Sequence, residues 1–194
     1  AYVGQISEHK GPHVLIEAFE KIAERYPSVF LVLAGRISDW SGDVWGRALR
    51  EKAQNSKFFD RISFLGQIES VPLLLAQSEL LVVPSLFDDP APNVVMEAKE
   101  ASRPVIGFAR GGIPELIQHG VDGLLCDEPT AVAIEKALDI YLSDRELVKS
   151  HGAASRRSLE RLEVSQFKIK WSEAYGILSC ENQAIGQLAQ ARSQ

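Results

Sequence analysis

Two acidic residues, Asp89 and Glu97, stand eight positions apart around the start of a predicted helix. Asp89 lies in the loop before that helix, and Glu97 lies about one turn into it. An ionised carboxylate accepts two or more hydrogen bonds from hydroxyl groups, which suits the recognition of a sugar. Two alternatives compete with this interpretation: a metal-binding pair formed by Asp88 and Asp89, or a capping loop beside a solvated carboxylate. Because no third ligand follows at a useful spacing, we predict no metal site.

A glycine loop with one cation precedes the first predicted helix. It runs from Gly4 to Gly11, and Lys10 stands directly before Gly11. Backbone N–H groups and the positive end of the helix dipole attract anions at such a point, and Lys10 adds a full charge. The order Lys-Gly differs from a phosphate-loop NTPase, and Gly-x-Gly-x-x-Gly is absent. The alternative is that Lys10 is a solvated charge near a turn.

A second glycine loop follows a later predicted strand. Gly111 and Gly112 precede Pro114, which begins a helical turn. Glycines before a helix offer bare N–H groups to an anion. A plain strand-to-helix turn explains this loop equally well.

The elements that must position these loops alternate along the chain. Continuous apolar runs predict buried strands, and apolar residues at helical spacing predict helices. The predicted strands are Tyr2–Gly4, Val29–Ala34, Arg61–Leu65, Leu80–Pro84, Pro104–Phe108 and Val121–Cys126. The predicted helices are Pro12–Tyr26, Val44–Asn55, Ser70–Gln77, Asn93–Ala101, Thr130–Leu142, Asp144–Arg157 and Ser165–Cys180. This order predicts an α/β fold with a doubly wound parallel sheet of about six strands flanked by helices.

In such a sheet, ligands bind beyond the carboxyl ends of the strands. The loops expected to carry function are therefore Gln5–Gly11, Gly35–Gly42, Gly66–Ser70, Ser85–Pro92 and Ala109–Glu115.

Length and composition exclude several classes of protein. The 194 residues fit one domain, and the net charge of −5 argues against a nucleic-acid partner. The apolar runs are far shorter than the roughly 20 residues of a membrane span. Cys126 and Cys180 predict two reduced thiols in a cytosolic protein. The histidines are scattered: we expect His13 to be structural, and His119 and His151 to lie in surface loops.

Taken together, an ordered set of motifs resembles one family. The segments are Val3-Gly4, Lys10-Gly11, Phe64-Leu65-Gly66, Val83-Pro84-Ser85, Asp89 with Glu97-Ala98, Pro104-Val105-Ile106 and Gly111-Gly112-Ile113-Pro114-Glu115. In this order and spacing they resemble the C-terminal half of a family 4 retaining glycosyltransferase over residues 1–180.

The resemblance implies a GT-B fold, in which two Rossmann-like domains face each other across a cleft. Residues 1–180 would be the donor-binding domain, followed by a polar tail at residues 181–194 that is expected to be frayed or disordered. The N-terminal domain would be absent, as a chain that begins inside a strand suggests, and the isolated chain would be inactive. The parent enzyme would transfer a hexose from a UDP or GDP sugar to an acceptor hydroxyl, with retention of configuration.

The resemblance also implies the partners and the location. No cofactor or metal is expected. The acceptor, a glycan, lipid or small molecule, would be bound mainly by the missing domain. The enzyme would be cytoplasmic and reach the membrane surface through that domain.

The resemblance assigns roles to individual residues. Lys10 would hold the donor diphosphate, Asp89 the sugar hydroxyls and Glu97 the ribose hydroxyls. The backbone of Ala91, Pro92, Asn93 and Val94 would approach the sugar and the β-phosphate. Gly66 and Gln67 would edge the nucleobase. Gly111 and Gly112 would close the phosphate side.

The sequence departs from the family pattern at the phosphate site. Gln5 stands where the family has Arg, which removes a bidentate cation. Arg36 is the first candidate to replace it, and Arg110 is the second. Asp89 is also one methylene shorter than the usual Glu, and Pro90 and Pro92 remove two N–H donors.

These departures keep two other functions open. Gln5 and Asp89 favour a non-catalytic module that binds a nucleotide or a sugar. Another enzyme of the same fold, such as a nucleotide-sugar epimerase, is the third hypothesis, and the spacing of Asp89 and Glu97 argues against it.

Overall fold

The computed structural model describes residues 1–37, 42–162 and 168–176. The chain divides into two units, Ala1–Ser158 and Leu159–Gln194. In the second unit, Leu159–Leu162 form a 3-10 turn and residues 168–176 are helical. The predicted domain boundary at residue 180 and the predicted tail at 181–194 lie outside the described residues.

The first unit contains six strands in two parallel sheets. They are β1 (Tyr2–Val3), β2 (Leu31–Ala34), β3 (Ile62–Gly66), β4 (Leu81–Val83), β5 (Val105–Phe108) and β6 (Gly123–Cys126). The sheets have the orders β1-β2-β3 and β4-β5-β6. Ala1 connects them, because its amino group donates to Leu80 O and its carbonyl accepts from Val82 N–H. The strand order is therefore β3-β2-β1-β4-β5-β6, and it reverses between β1 and β4.

Helices cover both faces of the strands. They are α1 (Pro12–Arg25), α2 (Gly42–Gln54), α3 (Val71–Gln77), α4 (Asn93–Glu100), α5 (Ile113–Leu116), α6 (Ala131–Ser143) and α7 (Arg145–Ser158). Short 3-10 turns lie at Glu8–Lys10 and Phe59–Arg61. This architecture confirms the predicted α/β fold with its doubly wound parallel sheet.

Alternating side chains of β4 and β5 explain why both faces need helices. Val82 and Ile106 lie in one core cluster with α1, α2 and α6. Leu81 and Val105 lie in a second cluster with α3, α4 and α5. Because successive strand residues point to opposite faces, an apolar run must be covered on both sides.

Three local predictions are wrong. β2 begins at Leu31 rather than Val29, and Phe30 is 63% exposed. β6 begins at Gly123 rather than Val121, which is also exposed. His151 lies in α7, not in a surface loop, and is buried with its Nδ1 2.9 Å from the Tyr141 hydroxyl. Its burial depends on the packing of α6 against α7, which the sequence pattern around His151 does not encode.

Candidate functional site

Three loops meet at the carboxyl ends of β1, β4 and β5. The loop after β1 contacts the loop after β4 where Leu86 N–H donates to His9 O over 2.8 Å. Gly11 has φ +69° and lies so close to Pro84 that an added Cβ would be 2.0 Å from the Pro84 carbonyl oxygen. Only glycine fits both this backbone conformation and this approach. The loop expected to bind an anion is therefore fixed against the loop that carries Asp89.

Lys10 and Asp89 form the central ion pair of this loop cluster. Lys10 Nζ lies 2.5 Å from Asp89 Oδ2, although the residues are 79 positions apart in the chain. The ammonium group also lies 4.6 Å from the centroid of the Phe87 ring, within the range of a cation–π contact. The side chains retain only 26% and 10% of their exposure, so the pair is partly removed from water.

The glycine pair after β5 supports the backbone around Asp89. Gly112 N–H donates to Asp89 O over 2.8 Å. A Cβ at Gly111, which has φ +54°, would lie 2.4 Å from that same oxygen, and one at Gly112 would lie 1.7 Å from Pro90 O. The prediction of an unpaired N–H group is therefore wrong at Gly112, because this N–H donates to the Asp89 carbonyl. The predicted contact of these glycines with a phosphate stays a prediction.

The other candidate cation of this loop, Arg110, is held by a second carboxylate. Arg110 Nε lies 3.3 Å from Asp88 Oδ1, and both side chains are solvent-exposed. The adjacent residues Asp88 and Asp89 thus each bind a cation from a different loop. Asp88 and Asp89, which we considered as a metal-binding pair, instead form ion pairs that connect the three loops.

A cleft of about 450 Å³ opens beyond the ends of β1, β2 and β3. Its walls include three polar residues expected at the donor site, Gln5, Arg36 and Gln67, together with Ile68 and Val71. The backbone brings them together, since Ile6 N–H donates to Arg36 O over 2.8 Å and Gly35 N–H donates to Gly66 O over 2.7 Å. Gly66 directly precedes Gln67. Apart from its chain neighbours, no heavy atom of the described residues lies within 4 Å of the position where Gly66 would carry a Cβ, so the backbone is open there.

Arg36 is the cationic residue among the described residues that line this cleft. Its side chain is exposed. Within the described part of the chain its guanidinium has neither a hydrogen-bond nor an ion-pair partner. Arg110, by contrast, is engaged by Asp88. Of the two candidate cations, Arg36 is therefore the one on the wall of the cleft that contains Gln5, and its role stays a prediction.

Glu97 lies on α4 and differs from Asp89 in its surroundings. Its carboxylate is half-buried and has no hydrogen-bond partner among the described residues. α4 begins at Asn93, and its N-cap residue Pro92 provides no side-chain cap. The first N–H groups of such a helix have no partner inside the helix, so those of Asn93 and Val94 are available to a ligand. Ala91 is exposed beside them.

The sequence did not single out Phe87 or His9 as a pair. Their rings meet edge to face with centroids 5.1 Å apart. The Phe87 ring also makes the cation–π contact with Lys10. An aromatic residue two positions before Asp89 was the available signal. The sequence alone does not show that Phe87 contacts Lys10 and His9, because that contact depends on the position of the loop after β1.

Other chemistry receives no support from the described residues. Within them, no group of three or more His, Cys, Asp and Glu side chains is placed to hold a metal ion. Burial raises the pKa of the Cys126 thiol to about 11, so this thiol is protonated at neutral pH and is a poor nucleophile. A search of the described helices finds none with the length and apolarity of a membrane span.

Comparison with known families gives one clear match. The family model for glycosyl transferases group 1 covers residues 1–158. The chain is 31% identical over 166 residues to spore coat protein SA of Bacillus subtilis, covering 82% of this chain and 43% of the relative. It is 33% identical over 147 residues to N-acetyl-alpha-D-glucosaminyl L-malate synthase of Bacillus anthracis, covering 75% and 36%.

A solved structure shares the fold. It is Alr3699/HepE from Anabaena in complex with UDP, with a TM-score of 0.80 and 23% identity over 90% of this chain and 48% of that chain. The chain thus spans less than half the length of the relatives named above.

Proposed function

Since this chain belongs to the family of group 1 glycosyl transferases, we propose that it is the nucleotide-sugar donor-binding half of a family 4 retaining enzyme. The strand order and the loop cluster at the carboxyl ends provide the type of site in which nucleotides bind. The whole enzyme would have the GT-B fold, with the acceptor on a second domain. The short coverage of the relatives supports this division.

The observation that carries the proposal is the placement of cations around one edge of the sheet. Lys10 lies on the 3-10 turn at the start of α1, and Arg36 lines the cleft beside Gln5. We place the donor diphosphate between these two side chains. Gly66 and Gln67, at the open edge of the same cleft, are then the neighbours of the nucleobase.

The remaining roles follow from the loop after β4. The Glu97 carboxylate, which has no hydrogen-bond partner among the described residues, can accept hydrogen bonds from the two ribose hydroxyls. The available N–H groups of Asn93 and Val94, beside Ala91 and Pro92, face the β-phosphate and the sugar in this arrangement. Asp89 keeps one carboxylate oxygen, Oδ1, for a sugar hydroxyl, because Oδ2 binds Lys10. Gly111 and Gly112 pack against the backbone of this loop at Asp89 and Pro90.

The chemistry of transfer depends on stabilising the leaving group. As the bond between the anomeric carbon and the β-phosphate oxygen breaks, its electron pair stays on the phosphate. In this arrangement Lys10 and Arg36 place positive charge beside that developing negative charge, which is an effective form of catalysis. We propose transfer of a hexose with retention of configuration and without a metal ion.

The donor nucleotide is proposed to be of the UDP or GDP type. The solved relative bound to UDP makes UDP the first ligand to test. A cytoplasmic location, with the missing domain reaching the membrane surface, remains a prediction.

Thermal unfolding of the chain with UDP, GDP and ADP tests the proposal. A ligand at ten times its Kd adds about 1.4 kcal/mol to the free energy of unfolding. For this domain size the midpoint should rise by about 3–6 °C with one base only. Lys10→Met and Glu97→Gln should abolish the rise, while Lys57→Met, at an exposed lysine paired with Glu24, should keep it. No rise with any nucleotide at millimolar concentration would contradict the proposal.

The pairing of Lys10 with Asp89 favours one second candidate. A lysine whose charge is already balanced, beside Gln5 in place of Arg, suits a module that binds a nucleotide sugar without turning it over. Attachment of the acceptor domain would then restore no transfer from a UDP sugar. Turnover by the two-domain protein would exclude this candidate.

A further inference from the structure

The positive charge of Lys10 is balanced by a carboxylate within the site itself. Asp89 is 7% exposed, and its carboxylate lies 2.5 Å from the Lys10 ammonium group. The same ammonium group makes a cation–π contact with the Phe87 ring. The Asp89 backbone cannot easily move away, because Gly112 N–H holds its carbonyl and Gly111 lies against it. The carboxylate therefore stays beside Lys10 when a ligand enters.

We propose that Asp89 is a counter-ion that keeps Lys10 in place and lowers the affinity of the site for the nucleoside diphosphate product, so that the product leaves. This inference rests on the proposed function, since it requires the diphosphate to bind at Lys10. It adds a role that a hydrogen bond from Asp89 to a sugar hydroxyl does not supply.

Lys10 has enough donors to serve both groups. An ammonium group has three N–H donors, and the structure assigns one of them to Asp89 Oδ2. A bound diphosphate would take a remaining donor, and the lysine would stand between two anions. In a partly desolvated site those anions repel each other more strongly than in bulk water. The carboxylate therefore opposes binding of the diphosphate while it orients the lysine.

This repulsion acts more strongly on the product than on the donor. Transfer leaves the electron pair of the broken bond on the β-phosphate, which becomes a terminal phosphate. The second ionisation of such a group has a pKa of about 6, so the product carries close to one additional negative charge at neutral pH. A fixed carboxylate beside Lys10 thus discriminates against UDP relative to a UDP sugar.

Calorimetric titration of the whole chain with UDP, and with GDP in parallel, tests the inference. Asp89→Asn removes the charge and keeps the shape, and it should tighten UDP binding about fivefold to tenfold. Binding of UDP-glucose should tighten by a smaller factor. Asp88→Asn removes the same charge one residue earlier from a side chain that is 73% exposed, and it should change the affinity by less than about twofold.

Two further variants separate charge from shape and folding. Asp89→Glu keeps the charge and should leave the UDP affinity within about twofold of the unmodified chain. Asp89→Ser is neutral and replaces Asp89→Asn in the test if the latter does not fold, as judged by its thermal midpoint.

Each other outcome overturns the inference. Unchanged UDP affinity in Asp89→Asn would mean that the carboxylate serves only the sugar, and weaker affinity would mean that Lys10 needs it in order to bind phosphate. In either case the proposed function stands as long as Lys10→Met weakens UDP binding. If Lys10→Met has no effect, or the unmodified chain binds neither nucleotide, the proposed function and the inference fail together.

Discussion

Lys99 and Asp122 form a fully buried ion pair, with Lys99 Nζ 2.6 Å from Asp122 Oδ2 and both side chains at most 2% exposed. The lysine also donates to Ser158 Oγ over 2.8 Å, and Asp122 Oδ1 accepts from Gln118 N–H. This network connects α4, which carries Glu97, to the end of α7. The two buried charges are tolerated because each is paired with the other and also hydrogen-bonded to a further group.

Removal of one partner should therefore be costly. Lys99→Met leaves the Asp122 carboxylate buried without its counter-ion, and we expect a loss of about 3–5 kcal/mol in the free energy of unfolding. Urea denaturation measures it. As the matched control, Lys149→Met breaks the exposed pair with Glu146 and should cause no measurable change. An equal loss of unfolding free energy in both variants would show that the buried pair contributes no more to stability than the exposed pair.

The pH dependence of stability should report on His151. Burial lowers its pKa below the usual 6.5, an effect that outweighs the opposing charge of Asp122. The unfolded chain therefore binds the proton first, and stability is full above about pH 6.5 and falls as the pH decreases towards the lower folded-state pKa. His151→Gln should reduce the difference in unfolding free energy between pH values of about 7.5 and 5.5.

The dependence that remains in His151→Gln should come partly from His13, whose pKa is also lowered by burial. A full pH dependence in His151→Gln would exclude the proposed effect of His151.

The contact between the glycine pair and the Asp89 loop should be intolerant of a methyl group. In Gly112→Ala the new Cβ would overlap Pro90 O, so the loop must move, at a cost of about 2 kcal/mol. We also expect weaker UDP binding, because Asp89 and Lys10 move with the loop. Thermal unfolding and calorimetry measure the two effects. Gly176→Ala meets open space in a helix and should be neutral or slightly stabilising.

Arg36 should supply the charge that Gln5 lacks. Arg36→Ala removes the cation that lines the cleft beside Gln5 and should weaken UDP binding about tenfold, as expected for a charged hydrogen bond to phosphate. Arg110→Ala removes a cation that Asp88 already holds, and it should change the affinity much less. Titration of both variants with UDP ranks them. A larger effect in Arg110→Ala would reverse the assignment.

The elements of the fold were predictable from the sequence because their signals are local. Runs such as Leu80–Pro84 are apolar at every position, which is typical of a strand covered on both faces, and Val82 and Leu81 do lie in different core clusters. Pro12 and Gly11 marked the start of α1 correctly. The start of β2 was less predictable, because Phe30 is apolar and yet exposed.

The contacts within the candidate site were not predictable in the same way. Lys10 and Asp89 are 79 positions apart, and nothing in either loop encodes their pairing. The use of Gly112 N–H by Asp89 O likewise depends on how two strands place their loops. Sequence spacing indicated which loops share an edge of the sheet. The order β3-β2-β1-β4-β5-β6 decides which of them touch.

The most direct test of donor binding is a crystal structure of the chain with UDP. The account predicts phosphate oxygens within hydrogen-bond distance of Lys10 Nζ and the Arg36 guanidinium, the ribose hydroxyls on Glu97, and the base beside Gly66 and Gln67. UDP bound elsewhere on the chain, or in this cleft without contact to Lys10, would contradict it.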